Sequence, residues 1–437
     1  MRFRRSTLAN FLKILTTGLV HLFSAFMLLP AAILLSSADA QTYSLFYSFT
    51  GGADGGNPQG QMIRDSSGNL FGSTVQGGDL SCGSGNGCGV IFKIDSSANL
   101  TVLHTFTGPD GSYPFGDMAS DASNNLYGTT SQGGGRQASG VVFKLNKVTG
   151  EFNVLHRFGG GTEGGEPNGV IRDSVGNLYG TTFVGGSAGC GDNLTCGTIY
   201  KLDRAGSLTV LYNFTGGTDG GLPIAVIRDN AGNFYGTTLV GGDLNCQPNT
   251  VSGSGCGTVF ELTAAGSLKV LHAFTGGKDG ENDAAVGASQ AGLIRNSAGD
   301  LFGTSIFGGL RSCKSFPGCG VVFETTAEGK YKVLYSFTGG ADGYMPTYAL
   351  TSDSSGNLYS TTTEGGFVGP TCGLAGCGTV FELDTSGQLQ TLYSFTNTGD
   401  GFYPNNLISD PSGNLYGETT GGGGNSGTAG TIFKITR

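Results

Sequence analysis

The sequence predicts an all-β fold: a seven-bladed β-propeller of four-stranded blades, its ring closed by the N-terminal strand. Three observations carry this. One unit recurs seven times with a period of about 57 residues, and repetition at a fixed period sets the architecture before any single residue is weighed. Each unit holds four short β-like segments with turn signals between them, which matches one propeller blade. The seventh unit is split between the two ends of the chain, as a closed ring requires.

The segments, named a to d, are clearest in the fourth copy. Segment a is AVIRD (225–229), and the turn DNAGN leads to segment b, NFYGTT (233–238). Gly and Asn in that turn tolerate positive φ. A Gly-rich, Cys-bearing loop leads to segment c, GTVFEL (257–262); the turn TAAGS leads to segment d, LKVLHAF (268–274). A loop with a Gly-Gly pair, an acid, a Gly and a proline then opens the next unit. The Asn or Asp opening segment b recurs at Asn69, Asn125, Asn177, Asn233, Asp300, Asn357 and Asn414. The loop acid recurs at Asp54, Asp110, Glu163, Asp219, Asp279, Asp342 and Asp400. Six copies place a proline four residues later: Pro58, Pro114, Pro167, Pro223, Pro346 and Pro404.

After residue 40 the chain starts with a lone segment d, Ser44–Phe49, and ends with a, b and c of the last unit, closing at Ile435. The first strand is therefore expected to complete the last blade. A linear solenoid would need atypical capping units, and none is seen.

Residues 1–40 read as a signal peptide. Arg2, Arg4 and Arg5 form a basic start, an apolar run follows, and Ala38-Asp39-Ala40 is a small-x-small cleavage site. The apolar stretch, about 22 residues, is long enough that a retained membrane anchor is the alternative. Pro30 and the Ala-x-Ala site favour cleavage. Residues 41–437 are then one propeller domain, expected to be a monomer. It carries 19 basic and 31 acidic residues, net −12. An acidic surface without basic runs argues against nucleic acid and anionic membranes as partners. A polysaccharide or a protein is the expected ligand class.

The ten cysteines fall in five local pairs, each in a b–c loop: Cys82/Cys88, Cys190/Cys196, Cys246/Cys256, Cys313/Cys319 and Cys372/Cys377. An even count in an exported chain reads as disulfides. A zinc site is not expected: no CxxC occurs, and His104, His156 and His272 lie in another segment.

The motif GNLYGTT…GG…GTVFEL…LYSFTGGADG resembles the choice-of-anchor tandem repeat family called GloVer, over about residues 43–435. The resemblance implies an exported repeat protein and brings no catalytic residues. The DxxGN pattern of the a–b turn is similar, more weakly, to NHL-type propeller repeats.

Strand polarity puts the b–c and d–a loops on one face and the a–b and c–d turns on the other. All Cys pairs, all loop acids and the long insertions (243–256 and 281–292) share the first face. Loops on a rigid scaffold are where binding concentrates, so this face is the expected site. The repeated acids suit Ca²⁺ chemically, but a group present in every blade reads first as a turn cap. The a–b turn series (Asp65, Asp121, Asp173, Asp229, Asn296, Asp353, Asp410) has the same reading. Arg64, Arg172, Arg228 and Arg295 share one position in segment a and are replaced by Ser120, Ser352 and Ser409 elsewhere. They form either a cationic collar at the channel or pairs between blades. Each of the three histidines fills a slot that Tyr47, Tyr212, Tyr335 and Tyr393 fill in other copies, which is a packing role. No Ser-His-Asp, nucleophile-elbow or phosphate-loop pattern is present.

Catalysis would need residues that break the symmetry. Those are Glu364 and Glu418, placed after segment b in adjacent blades, Asp79 and Asp243 after the Gly pair, and Arg311 and Lys314 in the fifth Cys loop. A carboxylate pair would suit glycoside chemistry. Trp is absent, so Tyr113, Tyr344 and Tyr403 would supply any ring for a sugar. The primary expectation is a binding or scaffold module, with a carbohydrate-active hydrolase or lyase as the alternative.

Overall fold

The computed structural model describes residues 41–135, 138–186, 196–246, 255–282, 292–310, 313, 318–423 and 429–437. Seven antiparallel sheets follow one another around a closed ring, each built in the order a, b, c, d. Segments a of neighbouring blades touch each other and segment b of the blade before, so a is the innermost strand.

The split unit closes the ring as expected. Thr42–Ser48 pairs antiparallel with Thr431–Thr436, with Tyr43 opposite Ile435 and Leu45 opposite Phe433. That strand covers the edge of the last segment c, which would otherwise present unpaired amide groups. On the other side, Asn57 N–H donates to Ala429 O (2.7 Å), joining the first blade to the last.

Segments b and c are almost fully buried. Segment d is less buried, as an outer strand with one wet face should be; Leu208–Asn213 is half-buried apart from exposed Thr209 and Asn213. The apolar side chains gather into seven clusters, each spanning one pair of adjacent blades. The phenylalanine ending segment d recurs at Phe49, Phe106, Phe158, Phe214, Phe274, Phe337 and Phe395, and every copy is at most 3% exposed. Burial of each ring contributes about 1.5–3 kcal/mol. Its backbone N–H also donates to the glycine that opens segment c, as in Phe106 N–H to Gly89 O (3.1 Å). That glycine cannot be replaced: Gly89 has φ +90°, and a Cβ there would run into the Thr74 carbonyl and the Pro114 ring of the next blade. The repeated proline therefore packs against the preceding blade's glycine. The fifth blade carries Asp283 at the proline position, outside the described residues, and Asn282 Cβ would meet a Cβ on Gly257.

Segment a is not uniform. Where five residues separate the proline from the strand end, the strand is continuous: Gly165–Arg172, Gly221–Arg228 and Phe402–Ser409. Where six do, it breaks. The first blade keeps Gly56–Pro58 and Ile63–Arg64, the second Ser112–Pro114 and Ala119–Ser120, the sixth only Thr351–Ser352. The continuous strands already carry a bulge in this stretch, and one further residue breaks the ladder. Gly60 (φ +97°) and Gly116 (φ +84°) sit at those breaks in the first two blades.

Candidate functional site

Four of the expected disulfides are formed on one face: Cys82–Cys88, Cys246–Cys256, Cys313–Cys319 and Cys372–Cys377. Cys190, of the Cys190/Cys196 pair, lies outside the described residues. The second cysteine of each pair does more than close its loop. Its carbonyl accepts an N–H from the next blade: Tyr113 to Cys88, Leu222 to Cys196, Asn282 to Cys256, Met345 to Cys319 and Tyr403 to Cys377 (2.8–3.2 Å). The bridges thus brace the seams between blades.

The loop acids cap their turns. The Asp54 carboxylate accepts from Thr50 N–H (2.9 Å), Thr50 Oγ1–H and Tyr47 OH (3.1 Å). Asp219, Asp342 and Asp400 repeat this with Tyr212, Tyr335 and Tyr393. In the remaining blades histidine replaces tyrosine: His104 Nε2 to Asp110 (2.9 Å), His272 Nε2 to Asp279 (3.0 Å) and His156 Nε2 to Glu163 (3.6 Å). The histidines are packed, as expected; His104 and His272 also hydrogen-bond the cap, whereas His156 Nε2 stands beyond hydrogen-bond reach of Glu163. The a–b acids form the second capping series; Asp65 accepts from Ser67 and Asn69 N–H (both 2.9 Å). Among the described residues, no three His, Cys, Asp or Glu side chains converge on a common metal position.

The symmetry-breaking residues separate. Asp79 accepts from the N–H and hydroxyl of Ser81, which holds its carboxyl below the usual range. Asp243 accepts from the backbone N–H and the side-chain amide of Asn245 (3.0 and 3.1 Å). Arg311 and Lys314 lie outside the described residues. Tyr113 borders an open cleft of about 660 Å³ on the loop face, between the first two blades, with Cys82, Cys88, Pro109 and Gln132. Tyr403 is 36% exposed, whereas Tyr344 is buried. Tyr113 and Tyr403 occupy the same repeat position and share a positive φ, +56° and +55°.

Glu364 and Glu418 lie in different settings. Glu364 follows its strand, Leu358–Thr362, and is bridged to Tyr344 through backbone bonds of 2.9 and 3.1 Å. It is half-buried, and that burial raises its carboxyl. Glu418 instead lies inside its strand, Leu415–Gly421, where other copies carry Ser73, Thr129, Thr181, Thr237, Thr304 and Thr361. Its place after segment b is thus corrected. Those hydroxyls bond inward to carbonyls of segment a, as Thr181 does to Ile224 O (2.7 Å). A glutamate there is aimed at the axis, not the loops. It is fully buried, and neither carboxylate oxygen has a hydrogen-bond partner. Burial, then the facing charge of Asp117, pushes its carboxyl well above the usual range. Asp117 accepts from Gln61 N–H (3.0 Å), and its carboxyl too is raised by burial. Asp117 stands on the extra residue of a broken segment a. Nothing in the repeat pattern singles it out except that one-residue difference in spacing.

The arginines settle between blades. Arg172 lies over the Tyr127 ring (5.8 Å), Arg228 over Tyr179 (5.3 Å) and Arg295 over Tyr235 (5.6 Å), each ring belonging to the preceding blade. This is the expected pairing between blades, made through rings rather than carboxylates. Where segment a carries Ser120 or Ser409, another cation substitutes: Lys147 over Phe71 (4.8 Å) and Arg437 over Tyr359 (4.4 Å). Lys434 covers Tyr416 (5.5 Å).

A sequence model of the Gloeobacter/Verrucomicrobia repeat matches residues 33–193, 80–291 and 249–437. No curated protein sequence matches the chain. Among solved structures, the extracellular domain of a Bacteroides thetaiotaomicron protein described as a one component system aligns at TM-score 0.51 and 11% identity, covering 91% of this chain and 40% of that one. A gluconolactonase from Xanthomonas campestris aligns at TM-score 0.43 and 14% identity over 92% of both chains. A Bacteroides uniformis protein described as a 6-phosphogluconolactonase aligns at 0.45 and 13%, covering 76% and 83%. At these identities the likeness concerns the fold alone.

Proposed function

The chain belongs to the Gloeobacter/Verrucomicrobia repeat family, and from that footing we propose that it is an exported binding or scaffold module whose disulfide-braced loop face takes a polysaccharide or protein ligand. One observation carries this reading. The bridged loops, the aromatic cleft at Tyr113 and the exposed Tyr403 ring lie on the same face of a rigid ring. Disulfides belong to an oxidising compartment, in keeping with a leader over residues 1–40. No helix among the described residues is long and apolar enough to cross a membrane.

Repeated side chains are used up in turn caps and in seams between blades, so little symmetric chemistry is left over for catalysis. Binding needs none: aromatic rings and loop amides on a fixed frame suffice, and repeated contacts add avidity. The test is a glycan array and a polysaccharide panel probed with residues 41–437, with and without Ca²⁺. Saturable binding that falls at least tenfold in Tyr113→Ala or Tyr403→Ala supports the module. Absence of binding to every carbohydrate leaves the protein-ligand arm, read by capture of a defined partner and its loss in the same variants.

The carbohydrate-active alternative keeps one favourable observation. Glu364 is a half-buried carboxyl raised by its surroundings, as a general acid must be, and it acts electrostatically on Tyr344 and Tyr403. Turnover of a model glycoside that disappears in Glu364→Gln would replace the binding reading with this one.

A further inference from the structure

The cation–ring pairs, five made between blades and one, Lys434 over Tyr416, within a blade, have one gap. Six segment b rings carry a cation: Phe71, Tyr127, Tyr179, Tyr235, Tyr359 and Tyr416. The seventh, Phe302 of the fifth blade, carries none among the described residues. Both positions of the following blade that supply the cation elsewhere are neutral here, and Glu324 stands where Lys434 stands in the last blade. Ser352 stands where Arg64, Arg172, Arg228 and Arg295 stand, and Thr385 stands where Lys147 and Arg437 stand. The space left is an open cleft of about 800 Å³ on the turn face between the fifth and sixth blades, lined by Phe302, Glu324, Lys332, Ser352 and Thr385.

The next seam shows what such a cleft holds when filled. Tyr359 lies opposite Glu382 across the b–c ladder. Arg437 places its guanidinium over the Tyr359 ring at 4.4 Å and pairs with Glu382 at 2.9 Å. In the fifth blade Phe302 lies opposite Glu324 in the same register. The ring and the carboxylate are both present; only the guanidinium is missing. Lys332 is the cross-strand neighbour of Glu324, but no ion pair joins them within 4.0 Å. In the fourth blade the equivalent Lys269, opposite Glu261, coexists with Arg295 over Tyr235. A lysine at this position therefore does not displace the guanidinium. The other charged groups lining the cleft are committed: Arg295 to Tyr235, Asp353 to Asn357 and Tyr359, and Asp384 to Ser386 and Gln388.

We propose that the cleft between the fifth and sixth blades receives the guanidinium of an arginine side chain from a partner peptide. A guanidinium stacks flat on a ring and meets a carboxylate with two parallel N–H donors, whereas an ammonium does neither. The site lies on the face opposite the loops and does not depend on what they bind.

The experiment is titration calorimetry of residues 41–437 with acetylated, amidated Gly-Arg-Gly, and with the same peptide carrying citrulline or lysine. The arginine peptide binds saturably, and the citrulline peptide, isosteric but uncharged, at least tenfold more weakly. Glu324→Gln weakens arginine binding at least tenfold. Ser352→Arg supplies the chain's own cation, as Arg172, Arg228 and Arg295 do in three other seams; it abolishes peptide binding and raises the melting temperature. Tyr113→Ala, on the other face, leaves peptide binding unchanged, so failure of the loop-face reading and failure of this one are distinguishable. Equal binding of arginine and citrulline peptides, no saturable binding, or binding that survives both Glu324→Gln and Ser352→Arg overturns the proposal.

Discussion

Tyr43 and Asp400 are 357 positions apart in the chain and one hydrogen bond apart in the ring: the Tyr43 hydroxyl donates to the Asp400 backbone carbonyl at 2.8 Å. The Tyr43 ring also stacks on Tyr393 of the sixth blade, centroids 4.1 Å apart. The N-terminal strand therefore completes the last blade and fastens it to the one before.

Deleting residues 41–50 should lower the melting temperature sharply and promote self-association, because Thr431–Thr436 becomes an open edge. Phe49→Ala isolates the packing part; a fully buried phenylalanine lost from a seam costs about 3–5 kcal/mol. Thermal melts and light scattering read both effects. A deletion variant that melts like the parent would show that this strand does not close the ring.

The disulfides make a second prediction because each bridge ends at a carbonyl that receives the next blade. Removing Cys313 and Cys319 together as alanines should cost about 2–3 kcal/mol from the lost loop constraint. Amide exchange should also rise at Met345, whose N–H bonds to Cys319 O (3.2 Å), and stay unchanged at Tyr113, which belongs to another seam. Non-reducing peptide mapping should return the four bridges described and join Cys190 to Cys196. A link between different loops would contradict the pairing.

The repeat made the architecture readable, since strands, turns, seams and ring closure all recur. Each carries its own residue signal: the proline, the glycine before segment c, the phenylalanine after segment d. What the pattern hid is whatever depends on a single change. Glu418 was visible as an oddity, but its direction follows from its place inside the strand, where threonine normally reaches inward. Asp117 came from a one-residue difference in the spacing after Pro114. The gap at Phe302 is a missing partner, which no motif displays. The arginine stacks were half legible: their position pointed between blades, while the choice of ring over carboxylate depends on side-chain approach.

His156 gives a pH prediction. Burial lowers its pKa below the usual imidazole value, and Glu163 only partly offsets this. A folded pKa below the unfolded value, about 6.5, favours neutral imidazole in the fold. Its contribution is therefore fully present above about pH 6.5 and is lost as pH falls below that. His156→Tyr copies the residue found at four equivalent sites and should flatten the stability curve between about pH 5 and 7. NMR titration of the ring should place its midpoint below 6.5, and a midpoint above that would reverse the sign.

Asp110 behaves differently. Burial alone would raise its carboxyl, but hydrogen bonds from His104 and from Thr107 outweigh it and hold it lowered. Its contribution is present above about pH 4, the usual aspartate value, and is lost as pH falls through the lower folded value. Asp110→Asn should therefore flatten the acid limb of the stability curve, since the dependence is removed with the charge, while lowering stability at pH 7 by about 1–2 kcal/mol through the weakened cap. Denaturant melts at pH 7 and pH 3 should show the variant's deficit at the higher pH and convergence with the parent at the lower.

Glu418 carries the opposite sign, and its substitution tests the reading of the channel. Its carboxyl is raised by burial and by Asp117, so folding favours the protonated form. Stability from this group is present below the unfolded glutamate pKa, about 4.3, and is lost as pH rises. The slope reaches about 1.4 kcal/mol per pH unit while the group titrates. At neutral pH the parent thus holds a buried carboxyl without hydrogen-bond partners, a costly arrangement. Glu418→Thr restores the residue type of Thr181, Thr304 and Thr361, whose hydroxyls bond to carbonyls of segment a. That variant should melt higher than the parent at pH 7–8, and its advantage should shrink steadily toward pH 4. A lower melting temperature at pH 8 would mean that the ionised carboxylate is itself stabilised, and that the inner wall of the ring receives a positive partner at this position.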